Sequence, residues 1–311
     1  MPRLFFIDTL RIIGVICVLI HHLYGHALEV DLQWFHFFYV ITPPFYVDIG
    51  RIGVWLFIFA SGASLALGHS SFGSLSDVGR FYGKRLLRIY PIYWTGVVFS
   101  IIFLGSGKAA LTLSDYVRNF AGFQIFFITN ADWAKINGTY WFIGLIVVLY
   151  FLFPIVYLAI KRHPHVSLLS LFLMYVSSSL IMHYVFPQYT GGSDWFPLVH
   201  LFEFGLGIYM IQRGFYPKFN SMRILAFLGE LSFYIYLVHA PLLYVIFYIE
   251  YPLTYPLTWY VALCLIFGCV FYSFDNTIQN LIKKVKISQS ERVTRIGTQL
   301  KGIFHTSRPE R

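Results

Sequence analysis

The sequence predicts an all-α polytopic membrane protein, with about eight and up to ten transmembrane helices and both termini in the cytoplasm. Three observations predict it. Of 311 residues, 58% are hydrophobic and only 12% charged, whereas a soluble domain carries about 25% charge. The apolar residues come in runs near 20, the length that crosses roughly 30 Å of hydrocarbon at about 1.5 Å per residue. The basic residues then collect in the connections that such crossings place on one side.

Eight runs read as crossings: 7–26, 47–67, 87–105, 141–160, 166–186, 196–212, 224–248 and 257–275. The first has the short apolar centre of a signal peptide, but "HHLYGHALEV" follows it rather than a small-residue cleavage site, so it reads as retained. Asp115 and Arg118 interrupt 112–129. That stretch reads as an outer-face or re-entrant helix, because a crossing there would move the Lys161-Arg162 loop and the Arg213 to Arg223 loop to the outside. Aromatic pairs such as Tyr93-Trp94, Tyr140-Trp141 and Tyr150-Phe151 sit near span ends or just inside them, as interfacial belts do.

With eight crossings, all but four of the 23 Lys and Arg residues fall on one side; the exceptions are Arg51, Lys108, Arg118 and Lys135. This asymmetry makes that side the cytoplasm and the number of crossings even. The chain divides into a membrane domain, 1–280, and a basic cytoplasmic tail, 281–311, attracted to anionic lipid. The net charge of +9 comes with no nucleic-acid-binding module. Cys17, Cys264 and Cys269 lie in apolar runs without metal-ligand spacing and read as packing residues. No metal site and no internal repeat is visible, and the missing repeat weighs against many secondary transporters.

Polar residues inside apolar runs mark the candidate chemistry, since intramembrane ionisable groups are rare and face internal cavities. Arg11 and His22 are eleven residues apart, about 16 Å along the axis and about 20° off the same helix face. His26 nearly continues that stripe, while His21 points about 100° away. A groove down this face would be cationic at its inner mouth and reactive deeper in. A snorkelling arginine with headgroup-level histidines is the plainer alternative. In "RFYGKRLLRIYPIYW", Arg85 and Arg88 share a face at the inner end of the third crossing, with Lys84 beside them. Guanidinium groups so placed suit a polyphosphate, although topology alone also puts cations there. Asp48, Ser61, His200, Glu203, Glu230, Ser232 and His239 complete the polar set; interhelical hydrogen bonding is their ordinary use.

These pieces, in this order, resemble the acyltransferase-3 family of multi-spanning membrane acyltransferases. An arginine, ten residues and a histidine open the first span (Arg11, His22). "FIFASGASLAL" stands for an aromatic-rich span ending in Ser-Gly, and "RLLRIYPIY" for an RxxRIYPxY element. "YWFIGLIVVLYFLFPIV" and "LGELSFYIYLVHAPLL" follow, so the resemblance covers about residues 6 to 285. The family's usual glutamate-proline near the last span is replaced by "SFDNTIQN", with Asp275 as a stand-in, and no extracytoplasmic esterase-like domain is attached.

The resemblance implies transfer of an acyl group, acetyl foremost, from cytoplasmic acyl-CoA to a hydroxyl of an extracytoplasmic glycan or lipid-linked sugar of the cell envelope. The chain would be a multi-pass protein of the cytoplasmic (inner or plasma) membrane, in contact with membrane lipids and with no nucleic acid. Carried over by position, His22 is the catalytic histidine. Arg11, Lys84, Arg85, Arg88 and Tyr90 hold the donor, acetyl-CoA or another acyl-CoA. The pantetheine arm, on the order of 15–20 Å, spans the Arg11-to-His22 rise. A carboxylate would orient His22, and Asp48 and Glu203 are both candidates. His21, Ser61, Trp141 and His239 would line the substrate pocket. Two other classes remain: a transporter or flippase relaying protons through the histidines, and a non-catalytic membrane receptor or assembly partner.

Overall fold

The computed structural model describes residues 4–27, 48–69, 71–104, 111–126, 136–186, 196–247 and 256–305. Among them are nine α-helices and no strand: α1 Phe5–Ala27, α2 Ile49–Leu67, α3 Leu75–Leu104, α4 Leu113–Ala121, α5 Trp141–Arg162, α6 Pro164–Tyr184, α7 Leu201–Arg213, α8 Arg223–Phe247 and α9 Pro256–His305. Seven of these, α1, α2, α3, α5, α6, α8 and α9, are long and apolar enough to cross a membrane. The run 196–212 falls short of that length. Pro197 begins a 3-10 turn, Pro197–His200, which leaves a 13-residue helix, about 20 Å long at 1.5 Å per residue. Gly214 ends α7 in the left-handed conformation, φ 71°, which glycine adopts without a Cβ clash.

α7 nevertheless serves as a leg of the bundle, packed along α2. Its approach is close because both helices carry glycine at the crossing. A Cβ on Gly62 would stand 2.2 Å from the Phe204 carbonyl oxygen, and one on Gly207 2.3 Å from that of Phe59. α1 lies against α2 and α8, α8 against α9 and α3, and α6 against α7. α4 is a nine-residue amphipathic helix capped by a reciprocal Thr112–Asp115 box and by Gly122 at φ 71°. Apart from α4 and two 3-10 turns, the described residues of 105–140 hold no helix before α5, which accords with reading 112–129 as a non-crossing segment.

One end of the bundle gathers the basic connections. The Phe5 amide donates to the Phe219 carbonyl at 3.0 Å, tying the start of α1 to the α7–α8 connection. Arg11 reaches Ser64 near the end of α2, and Arg88 of α3 reaches Glu230 near the start of α8 and Asp275 in α9. The helices therefore alternate in direction, with α7 as one leg, and the start of α1 and the basic stretch of α9 share an end. α9 does not stop at the expected tail: it runs through Lys283, Lys284 and Lys286 to His305 as one helix.

Three helices contain an internal proline: Pro91 in α3, Pro154 in α5 and Pro241 in α8. Proline has no N–H, so the carbonyl four residues earlier loses its helical donor. Two of the freed carbonyls are taken by side chains from another helix or turn. Gln279 Nε2 donates to Leu87 O at 3.1 Å, and the Tyr140 hydroxyl donates to Leu237 O at 2.8 Å. Since Tyr140 donates there, it accepts from Ser100 Oγ (3.0 Å), which accepts from Asn137 Nδ2 (3.1 Å). This directed chain fastens α3, the turn before α5 and α8 around one buried point.

Candidate functional site

α1, α2, α3, α5 and α8 enclose a cavity of about 330 Å3. Helix direction orders its lining. Arg11, Arg85, Arg88, Glu230 and Tyr234 stand at the basic end, Ser61 and Tyr150 midway, and Phe57, Phe142 and Tyr236 deepest. The Ser61 and Tyr150 hydroxyls are 3.0 Å apart. The deep residues form a wall of rings, Phe57–Phe142 at 5.9 Å and Phe142–Tyr236 at 5.4 Å between centroids.

The three arginines at the mouth differ in their commitments. Arg11 donates to Ser64 Oγ at 2.9 Å and lies 3.7 Å from Asp8, itself buried against Gly229. Arg88 is bound to the buried Asp275, to the Tyr234 hydroxyl at 3.1 Å and to Glu230 at 3.4 Å. Tyr234 donates to Asp275 at 2.6 Å and Gln279 Nε2 to its other oxygen at 3.1 Å. Two carboxylates thus balance Arg88, whose part is to lock α3 to α8 and α9. Arg85 leans over the Phe81 ring at 5.5 Å, a cation–π contact that leaves the guanidinium charge available to an anion. Lys84 is exposed on the neighbouring face, outside the cavity lining.

Behind the ring wall stand the imidazoles. His239 is fully buried, its ring 5.7 Å from Tyr236 and 5.0 Å from His22. His22 therefore faces the bundle interior rather than lipid, one aromatic layer beyond the cavity. His21 meets His22 edge-on at 5.1 Å and packs on Gly50, where a Cβ would touch its ring.

Several expected placements are corrected. Asp48 caps α2 by accepting from the Arg51 amide at 2.8 Å, and its imidazole partner is His21 at 3.4 Å, not His22. Glu203, in the first turn of α7, sits 3.8 Å from His200, the residue that precedes the helix. Tyr90 donates to the Ala121 carbonyl at 2.8 Å, facing α4 and not the cavity. Trp141 stands edge-on behind Phe142 at 6.1 Å, flanking the lining. The side chain of His26 lies outside the described residues. The residues that sequence reasoning missed are Tyr150, Tyr234 and Tyr236. The signal for Tyr234 and Tyr236 was their spacing in "SFYIY", which puts hydroxyls on two faces of one helix, and for Tyr150 its place midway along the fourth apolar run.

A family model described as an acyltransferase domain matches residues 4–223, well over half of the chain. The chain belongs to the acyltransferase-3 family. It is accordingly a multi-pass membrane acyltransferase. No curated protein and no solved structure gives a match. The match spans α1 to α7, which supply Arg11, His22, Ser61, Arg85, Arg88 and Tyr150. It ends where α8 begins. The part played by Glu230, Tyr234, Tyr236, His239 and Asp275 in this acyltransferase therefore follows from their geometry.

Outside the spans, the loop after α2 places His69 against Phe72, Phe81 and Phe153, with ring centroids at 5.4, 4.9 and 5.5 Å. Burial foremost, with the charges of Arg85 and Lys84, holds the His69 pKa below the ordinary histidine value, against the opposing pull of the Leu65 carbonyl. The aromatic cage is thus built for a neutral imidazole, and a proton there would face Arg85 of the cavity mouth and Lys84 beside it.

Proposed function

We propose that this acyltransferase takes an acyl group, acetyl foremost, from acyl-CoA at its basic end and delivers it to a hydroxyl of a glycan or lipid-linked sugar on the opposite side. The basic end faces the cytoplasm in this reading, as the lysine and arginine asymmetry of the connections requires, and the membrane is the cytoplasmic membrane. The observation that carries the proposal is the order along the cavity. Cations line its mouth, and its far wall of Phe142 and Tyr236 backs onto His239 and His22.

The chemistry follows from that order. The phosphates of the donor stay at Arg85 and Arg11, where guanidinium groups form charge-assisted hydrogen bonds. The pantetheine arm enters between Ser61, Tyr150 and the apolar faces of α5 and α8. Parting of the Tyr236–Phe142 wall admits the thioester to His22. A neutral imidazole there removes the proton of the acceptor hydroxyl as its oxygen attacks the thioester carbonyl. The tetrahedral adduct collapses by breaking the carbon–sulfur bond, and the imidazolium returns the proton to the departing thiolate. Acyl ester and free thiol are the products, and His22 is regenerated.

The test is release of free thiol from acetyl-CoA by purified protein supplied with envelope glycans. His22→Ala should lower the rate by about 10²-fold or more, the scale of general acid–base catalysis, with unchanged membrane insertion. Wild-type transfer by His22→Ala would overturn the assignment. Acceptor counterflow with no donor consumed would instead show the transporter.

A further inference from the structure

Resting on the transferase reading, we propose that His239 is the positioning residue of the site: it orients His22 and accepts a hydrogen bond from it in the protonated state. This is the role for which a carboxylate was expected. The arrangement originates at Pro241. Its missing N–H leaves the Leu237 carbonyl to Tyr140, and the opened turn presents the Tyr236 carbonyl to the His239 ring, with Nδ1 2.6 Å from that oxygen. A carbonyl oxygen only accepts, so Nδ1 carries the proton. In the neutral imidazole the other nitrogen, Nε2, is then a bare acceptor.

That acceptor has no hydrogen-bond partner among the described residues, and His239 is fully buried. A buried polar atom left unpaired is destabilising, and such atoms in folded proteins call for a reason, chemistry among them. The neighbouring ring supplies one, since His22 lies 5.0 Å away between centroids at a tilt of 43°. When His22 takes the proton of the acceptor hydroxyl, both of its nitrogens become donors. His239 Nε2 is a preformed acceptor beside it, fixed in tautomer by the backbone. Holding the lone pair ready requires no reorganisation during the reaction, the economy that preorganised dipoles bring to catalysis. On the other side His21 already has Asp48 as its partner, so the two imidazoles neighbouring His22 are differently committed.

Two substitutions separate this role from a structural one. In His239→Asn the amide nitrogen replaces Nδ1 and keeps the bond to Tyr236 O, but nothing accepts at the Nε2 position. In His239→Gln the amide oxygen reaches the Nε2 position. Steady-state thiol release from acetyl-CoA should show kcat of His239→Asn down by on the order of 10²-fold with donor KM little changed, and His239→Gln about tenfold faster than His239→Asn. A structural role predicts the reverse order, with His239→Asn near wild type, and that order would overturn the proposal. A wild-type protein that released no thiol would remove the transferase reading and this inference together. An active wild type with an active His239→Asn would remove only the role of His239.

Discussion

Pro241 withholds one N–H, and two aromatic side chains arrange themselves around the gap. The Tyr140 hydroxyl closes the freed Leu237 carbonyl, while His239 occupies the carbonyl of Tyr236. Tyr140→Phe should therefore cost about 1–3 kcal/mol, because it orphans a buried acceptor and also strands Ser100. A lowered thermal midpoint in detergent checks this, and an unchanged midpoint would contradict it. His69 gives a pH dependence of definite sign. Its folded pKa lies below the unfolded value, so the unfolded chain binds more protons as pH falls through the ordinary histidine range near 6.5, and stability declines there. His69→Asn keeps the Nδ1-type donor to Leu65 O and cannot titrate. The drop in thermal midpoint between pH 7.5 and 5.5 should be smaller in that variant than in wild type, and equal drops would remove His69 as its cause.

At this scale much of the site was legible. Arg11, Arg85, Arg88 and Ser61 meet at one cavity, as their helical phases required. The placement of Tyr90 away from it was legible too and was misjudged: five residues past Arg85 is about 140° around the helix. The commitment of Arg88 to Asp275 and Glu230 was not legible, since it joins three helices far apart in sequence. Nor was the pairing of Asp48 with His21 rather than His22, because phase along α1 does not reveal where the start of α2 lies.

α2 and α7 approach each other closely. Gly62 and Gly207 let the backbones touch, and without a lipid-phase hydrophobic effect such small-residue packing is what holds transmembrane helices together. Gly62→Ala places a methyl 2.2 Å from a carbonyl oxygen, so α7 must retreat, at about 1–3 kcal/mol by the scale of overpacked cores. The expected readout is a thermal midpoint several degrees lower; a midpoint within error of wild type would mean the helices are not packed this tightly. Hydropathy found α7 but overstated its length, because a window average does not register the 3-10 turn at Pro197. It treated α4 correctly for a local reason: Asp115 and Arg118 pair with each other at 3.0 Å on a nine-residue helix, a polar face that no crossing of that length would carry.

For the molecule as a whole, the asymmetry of Lys and Arg gave the alternation of helices, and the contacts among α1, α2, α3, α8 and α9 reproduce it at one end of the bundle. What composition did not reveal is that the cavity from this end stops at an aromatic wall, one layer short of His22. That layer lies across the donor's path from the basic end to His22. The most direct measurement places a single cysteine at its midpoint, Ser61→Cys, with Cys17, Cys264 and Cys269 replaced by alanine, and follows its labelling by a membrane-impermeant maleimide. The thiol should react in inverted membrane vesicles, which in the proposed orientation expose the basic end, and acetyl-CoA should slow the reaction about tenfold. Labelling only in right-side-out vesicles, or at a rate indifferent to acetyl-CoA, would contradict the account.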